Sequence, residues 1–296
     1  GGAYLYRLLR YQCNTLVAPL VSHYRGGQRI PGGFPSSVVL INKVNEMRIV
    51  VIGAGNMGGA LVRGWCKAGW ASSITITARS EETLQRYTSI YPELTATTDN
   101  LQAVASADIV ILAVKPWLVD EVVAQIHPSL RSTNALLVSV AAGVRNARIN
   151  VYAMPNIAVQ YGSGMTFVEE PERHTERYQK VVDLFSLVGK AQIVPHKLMD
   201  AGMQISGCGI AYVMRYVRAM MEGGVELGLR PEDAKQAVLQ TMKGAVALLE
   251  ESGKHPEEAI DAVTTPGGYT IRGLNAMEEA GFTNAVLAGL KANKKE

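Results

Sequence analysis

Residues Met47–Gly59 read MRIVVIGAGNMGG. The apolar, β-branched run Ile49–Ile52 predicts a short strand that is buried on both faces, as in a parallel sheet. It leads directly into the spacing Gly-x-Gly-x-x-Gly, formed by Gly53, Gly55 and Gly58. Glycines at this spacing allow a tight strand-to-helix turn, close approach of a pyrophosphate and close packing of the helix on the strand. The stretch therefore predicts a dinucleotide site, with the phosphates at the N-terminus of the next helix.

The chain then alternates between strand and helix patterns as far as Pro195. Beyond Pro195 the strand patterns stop, and the chain is predicted to be helical. We therefore expect an α/β fold with a Rossmann-like dinucleotide-binding domain over residues 47–195, followed by an all-α dimerisation domain over residues 196–296. The first long helix predicted in the second domain is apolar on most sides, which favours a core shared between subunits.

One connection in the first domain is unusually short. The strand predicted at Ile149–Met154 begins only about six residues after Gly143, whereas a crossover between parallel neighbours needs about a dozen residues or more. Either this pair is not an ordinary strand–helix–strand step, or a helix is missing from the sequence. We favour the missing helix.

Length and composition agree with two soluble domains, since 48% of the 296 residues are apolar. No apolar run reaches the length of a membrane-spanning helix, so no membrane partner is expected. Cys13, Cys66 and Cys208 are widely spaced and odd in number. They predict neither a disulfide framework nor a metal site, which favours a reducing, cytoplasmic location.

Residues 1–46 differ in composition from the rest of the chain. They contain five basic residues and one acidic residue, so the net charge of +3 leaves the remainder near neutral. We therefore expect no nucleic-acid partner. The segment is interpreted as an extension of uncertain origin, which is an expression artefact, a disordered arm or an organelle-targeting peptide.

The residues after the second predicted strand bear on the choice of dinucleotide. An acid at this position binds the ribose 2′-hydroxyl of NAD, whereas basic and hydroxyl side chains accommodate the 2′-phosphate of NADP. Arg79 and Ser80 stand here and favour NADPH, while Glu81 and Glu82 just beyond leave NADH open. An ordinary solvated arginine is the alternative reading of Arg79.

The sequence contains no pattern of catalytic acids, bases or nucleophiles. Its five histidines are scattered, and paired carboxylates and metal-ligand spacings are absent. Hydride transfer from nicotinamide fits this composition, because the cofactor supplies the chemistry and the protein mainly positions the reactants. The turn Thr264–Thr270 offers flexible glycines before a helix predicted to begin near Ile271, which suits a small anion. A plain turn between helices is the alternative.

Several motifs together resemble the pyrroline-5-carboxylate reductase family, from Met47 to the C-terminal region. They are IGAGNMGGA (52–60), AVKP (113–116), SVAAGV (139–144), MPN (154–156), SGCGIAY (206–212), ELGL (226–229) and TTPGGYTI (264–271). The resemblance implies reduction of Δ1-pyrroline-5-carboxylate to L-proline, the last step of proline biosynthesis. It also implies a homodimer or a larger homo-oligomer such as a decamer, with the substrate between the nicotinamide and the turn of a neighbouring subunit.

The resemblance also implies residue roles. Thr270 is expected to be the proton donor, and the amides around Gly268, Tyr269 and Thr270 are expected to hold the substrate carboxylate with the Thr265 hydroxyl. Gly267 and Ser206 complete the expected substrate set. The expected cofactor-binding residues are Gly53, Gly55, Asn56, Met57, Gly58, Arg79, Ser80, Ala113, Lys115, Pro116, Ala142 and Asn156.

Three residues depart from the family pattern. Ile210 replaces a usual proline, Cys208 replaces a serine, and Tyr269 stands where threonine or alanine is common. Two other functions also stay open. One is a related oxidoreductase acting on another imine or on a β-hydroxyacid, and the other is a non-catalytic nucleotide-binding protein.

Overall fold

The computed structural model describes residues 47–292, so the prediction for residues 1–46 lies outside the described part. Eight strands form one sheet: β1 Ile49–Ile52, β2 Ile74–Thr77, β3 Thr95–Thr97, β4 Ile109–Leu112, β5 Leu136–Ser139, β6 Val151–Pro155, β7 Gly164–Glu169 and β8 Gly189–Val194. Their order is β3-β2-β1-β4-β5-β6-β7-β8. All pairs are parallel except β6 with β7. The predicted Rossmann-like domain is confirmed.

Helices cover both faces of this sheet. They are α1 Asn56–Lys67, α2 Glu81–Thr88, α3 Asn100–Val104, α4 Val119–Thr133 and α5 Glu176–Ser186. Ile49 and Val51 of β1 belong to the core formed with α1, α2 and α5, whereas Val50 and Ile52 belong to the core formed with α3 and α4. The continuous apolar run of β1 thus contributes side chains to the cores on both sides of the sheet, because successive side chains point to opposite faces of a strand.

The short connection between β5 and β6 contains no helix. The two strands pair in parallel through Val138 with Val151 and Ser139 with Tyr152. Hydrogen bonds of Asn146 join the connecting residues 140–150 to β6 and to α4. The Tyr152 hydroxyl donates to the Asn146 carbonyl (3.0 Å), and the Asn146 side chain donates to Asp120 Oδ1 (2.7 Å). Both predicted alternatives agree with this helix-free parallel pair, so the favoured one, a helix missing from the sequence, stays a prediction.

The C-terminal part is helical, as predicted. It comprises α6 Met199–Gly202, a π-helical turn Met203–Cys208, α7 Gly209–Glu226, α8 Pro231–Ser252, α9 Pro256–Ala262, α10 Tyr269–Glu279 and α11 Phe282–Lys291. No residue of α7, α10 or α11 is buried. Among the exposed side chains are Val213, Met214, Met220 and Val225 of α7. These apolar faces need cover, as the sequence predicted for a shared core.

No helix within residues 47–292 is long and apolar enough to cross a membrane.

Candidate active site

The predicted cofactor-binding residues follow five neighbouring parallel strands. Because parallel strands end at the same edge of a sheet, residues after β2, β1, β4, β5 and β6 lie along one carboxyl edge. The glycine loop follows β1, next to the point where the strand order reverses. The remaining residues lie on either side of it: Arg79 and Ser80 after β2, Ala113, Lys115 and Pro116 after β4, Ala142 after β5 and Asn156 after β6. The structure thus brings the whole predicted set to one edge.

The three glycines of the loop have different surroundings. Gly53 has a φ of +106°, and a Cβ there would lie 2.8 Å from the Ala113 carbonyl oxygen. A Cβ on Gly58 would collide with the Gly53 carbonyl oxygen, so both positions require glycine for backbone packing. At Gly55 a Cβ would meet nothing within 4 Å, and no side chain caps the helix that begins at Asn56. The space before this helix N-terminus is therefore open to a pyrophosphate.

Tyr87 of α2 braces the glycine loop, a role that the sequence did not reveal. Its hydroxyl donates to the Ala54 carbonyl oxygen (3.2 Å) and accepts a hydrogen bond from Arg63 Nη1 (3.4 Å). A Cβ on Gly59 would collide with this hydroxyl. Gly59, which directly follows the three spaced glycines, is therefore the local feature of the sequence that indicates the contact of Tyr87 with the loop. A cavity of about 340 Å³ opens between α1 and α2 beside the loop.

The charges beyond β2 favour a phosphate. Arg79 is exposed, and among residues 47–292 it has no carboxylate partner. The Glu82 carboxylate is paired with Arg86 Nη2 at 2.6 Å, four residues along the same helix. The Ser80 and Thr83 hydroxyls lie 2.9 Å apart at the start of α2. Of the two acids that left NADH open, Glu82 is thus engaged with Arg86, whereas Glu81 and Arg79 are exposed and have no ion-pair partner among residues 47–292.

Asn156 joins the carboxyl edge to the C-terminal helices. Its Nδ2 donates to the Ser206 carbonyl oxygen (3.2 Å), and its Oδ1 accepts from the amides of Ala158 (3.2 Å) and Met165 (3.4 Å). The Ser206 hydroxyl is buried and donates to the Gly202 carbonyl oxygen (2.9 Å). Ser206 therefore lies at the correct edge for a substrate role, but its hydroxyl is engaged in its own helix. Single π-helical turns are frequent at functional sites.

The turn before α10 is built to present backbone amides. The Gly268 amide donates to the Thr265 carbonyl oxygen (3.0 Å), and Gly267 has a φ of +68°. Pro266 and Gly267 thus occupy the central positions of a type II turn. The helix begins at Tyr269, two residues earlier than predicted, and no side chain caps it. The unpaired amides of its first turn, together with the exposed Thr270 hydroxyl, form a candidate anion site.

The turn and the carboxyl edge are separate features of this chain. Within residues 47–292, no hydrogen bond or ion pair joins the turn 264–270 to the residues of the carboxyl edge. No group of three His, Cys, Asp or Glu residues in the same part of the chain could hold a metal ion. Burial raises the pKa of the Cys66 thiol to about 11, so this cysteine acts as a small buried hydrophobe.

A glycine loop at the switch point of a parallel sheet, followed by a helical region with uncovered apolar faces, defines a dinucleotide-dependent oxidoreductase with a C-terminal dimerisation region. Residues 196–296 match the family described as pyrroline-5-carboxylate reductase dimerisation. Residues 48–143 match the family described as NADP oxidoreductase, coenzyme F420-dependent.

Individual relatives agree with these matches. The pyrroline-5-carboxylate reductase of Methanosarcina acetivorans is 34% identical over 268 residues, covering 85% of this chain and 98% of the relative. That of Corynebacterium melassecola is 35% identical over 257 residues, covering 82% and 95%. In pyrroline-5-carboxylate reductase 1 of Dictyostelium discoideum, which is 32% identical, the match spans 49% of that longer protein.

Solved structures support the same relationship. The pyrroline carboxylate reductase of Plasmodium falciparum with NADP bound has a TM-score of 0.75 at 28% identity, covering 84% of this chain and 95% of that one. The pyrroline-5-carboxylate reductase of Coxiella burnetii has a TM-score of 0.76 at 28% identity, covering 84% and 96%. The chain belongs to the pyrroline-5-carboxylate reductase family, which confirms the resemblance seen in the sequence.

Proposed function

We propose that this protein reduces Δ1-pyrroline-5-carboxylate to L-proline with NADPH, the last step of proline biosynthesis. One observation supports this most. This member of the family has both an open glycine loop at the carboxyl edge and a TTPGGYTI turn with unpaired amides. The relatives of M. acetivorans and C. melassecola carry the name of this activity. The P. falciparum structure contains NADP.

The cofactor half of the site fits NADPH. The amides at the start of α1 bind the pyrophosphate across the open space at Gly55, while Tyr87 holds the Ala54 peptide in place. Arg79 and Ser80 bind the 2′-phosphate, because a free guanidinium and a hydroxyl are good phosphate donors. When bound, NADPH supplies the hydride for the C=N carbon of the substrate.

The turn 264–270 binds the substrate. The Tyr269 and Thr270 amides and the Thr265 hydroxyl hold its carboxylate, whereas the Gly268 amide is already bonded to Thr265 and is not a donor. The Thr270 hydroxyl donates a proton to the ring nitrogen of the substrate. This proton promotes the reaction, because a protonated imine is the better hydride acceptor. Hydride addition to the protonated imine gives the neutral secondary amine, which takes a further proton from solvent to become the ammonium form of proline.

The assembly completes the site. We propose a homodimer that forms a larger ring such as a decamer, in which the turn of one subunit faces the carboxyl edge of a neighbour. The exposed apolar side chains of α7 and the separation of the turn from the edge within one chain support this arrangement. A cytoplasmic location and the absence of nucleic-acid partners are also proposed, the former on the free thiols of Cys66 and Cys208.

Oxidation of NADPH by the purified protein tests the proposal. We expect turnover with Δ1-pyrroline-5-carboxylate, and a kcat/KM about 10-fold higher with NADPH than with NADH, because the 2′-phosphate gains a charge-assisted hydrogen bond. A related hydroxyacid enzyme would instead reduce NADP⁺ with a β-hydroxyacid. A non-catalytic protein would bind NADPH without turnover. Failure of the intact protein to reduce Δ1-pyrroline-5-carboxylate would overturn the proposal.

A further inference from the structure

We infer that Arg272 is a positioning residue for the substrate carboxylate, because its guanidinium fixes the turn 264–270 in the conformation that presents the Tyr269 and Thr270 amides. This inference rests on the proposed function. Neither the family matches nor the sequence motifs assign Arg272 a role. It lies on the first turn of α10, one helical turn after Gly268.

The guanidinium bridges two consecutive carbonyl groups. Its Nη2 donates to the Gly267 carbonyl oxygen (3.1 Å), and its Nε donates to the Gly268 carbonyl oxygen (3.3 Å). A trans peptide is planar, so its C=O and the following N–H point in opposite directions. Fixing the Gly268 carbonyl toward Arg272 therefore turns the Tyr269 amide away from it. Fixing the Gly267 carbonyl likewise directs the Gly268 amide to its partner, the Thr265 carbonyl oxygen.

The internal hydrogen bond of the turn, from the Gly268 amide to the Thr265 carbonyl oxygen, does not engage the Gly267 carbonyl, so the guanidinium adds a restraint that the turn lacks. Gly267 and Gly268 are the most permissive residues for backbone rotation, and Gly268 carries no capping side chain. Their conformational freedom is lost when the carboxylate binds, unless another group has already ordered them. Arg272 is placed to do this, since a planar guanidinium holds two acceptors in one fixed geometry.

The charge of Arg272 is unbalanced until an anion binds. Within residues 47–292 it has no carboxylate partner, and the first turn of α10 contains no acidic residue. A cation near a helix N-terminus is unfavourable, because that end of the helix is already positive. A carboxylate bound at the turn would relieve both positive charges. Binding of a negatively charged ligand thus explains why a cation stands at the N-terminus of α10.

Tyr269 is held by the same side chain. The Arg272 Cζ lies 5.2 Å from the centre of the Tyr269 ring, whose side chain is otherwise 90% exposed. A cation–π contact of this kind orders an aromatic ring at the surface. Arg272 therefore sets both the amides that hold the carboxylate and the position of the ring that departs from the family pattern.

The kinetic constants for two cyclic imines distinguish this positioning role of Arg272 from a general structural role. Arg272→Ala is expected to raise the KM for Δ1-pyrroline-5-carboxylate about 10-fold, the scale of a charge-assisted hydrogen-bond network. The kcat/KM for Δ1-pyrroline, which has the same ring without the carboxylate, and the Kd for NADPH should not change. Millimolar guanidinium should restore part of the lost activity. Arg272→Lys should restore little, since one ammonium cannot bridge both carbonyls in the same plane.

The control is Arg230→Ala, which removes an exposed arginine paired with Asp233 at the start of α8 and should leave both imines unaffected. If the Arg272→Ala variant does not assemble, Arg272→Gln replaces it in the same assays, because the glutamine amide can still reach one of the two carbonyls of the turn. An equal loss for both imines, or no loss for either, would overturn the inference while leaving the proposed function intact. Absence of Δ1-pyrroline-5-carboxylate turnover by the unaltered protein would overturn both.

Discussion

Replacing Thr270 by alanine is expected to lower kcat about 100-fold with Δ1-pyrroline-5-carboxylate, the lower end of what a positioned proton donor contributes. Thr270 is exposed on the first turn of α10, where its hydroxyl is free of the intrahelical bonds that engage Ser206. The NADPH Kd should not change, because the glycine loop is a separate feature. Steady-state kinetics and NADPH fluorescence titration measure the two quantities.

Two further variants sharpen the result. Thr270→Ser keeps the hydroxyl and should retain most of kcat. Thr283→Ala removes another hydroxyl at a helix start, one that donates to Glu278 Oε1 (2.6 Å), and should leave kcat unchanged. A Thr270→Ala enzyme with an undiminished kcat would exclude Thr270 from proton transfer.

Gly55→Ala is expected to weaken NADPH binding roughly 10- to 100-fold, because the added methyl group occupies the space that the pyrophosphate needs. The unfolding temperature should stay near that of the unaltered protein. At Gly55 a Cβ meets no protein atom within 4 Å, and the backbone, with φ of −72°, is ordinary for alanine. Thermal unfolding without cofactor and NADPH titration are the paired measurements.

Gly58→Ala is the matched comparison at the same loop. Its Cβ would collide with the Gly53 carbonyl oxygen, so it should lower the unfolding temperature as well as the affinity. Stability and binding are thus separated by two substitutions only three residues apart. Wild-type affinity in Gly55→Ala would show that the pyrophosphate does not pass over this residue.

The features that were predictable from the sequence depend on local chemistry. The strand β1 and the loop after it follow from a β-branched run and three glycines. The bounds of α8 follow from Pro231 in its first turn and from Gly253, whose φ of +61° ends it. Parallel strands then bring the predicted cofactor residues to one edge, without any knowledge of side-chain contacts.

The features that were not predictable depend on partners far away in the sequence. The parallel pairing of β5 with β6 across a helix-free connection is accompanied by the Asn146 contacts with Tyr152 and Asp120. Tyr87 reads as an ordinary core residue until its hydroxyl is seen at Ala54. The same holds for Asn156, whose side chain bonds the Ser206 carbonyl rather than facing solvent. Hydrogen-bond partners of this kind leave no periodic pattern in a sequence.

Activity of a mixed oligomer tests most directly whether the glycine loop of one subunit and the turn of its neighbour form one site. Gly55→Ala and Thr270→Ala chains, carrying different affinity tags, are coexpressed, and the hybrid population is assayed with Δ1-pyrroline-5-carboxylate. In a symmetric dimer, a shared site pairs the intact loop of one chain with the intact turn of the other. One of the two sites in each hybrid dimer is then intact, so we predict that the hybrids isolated through both tags recover about half of wild-type activity. Activity no greater than that of the two variants assayed separately would contradict the shared site, because each chain would then contain a complete but damaged one.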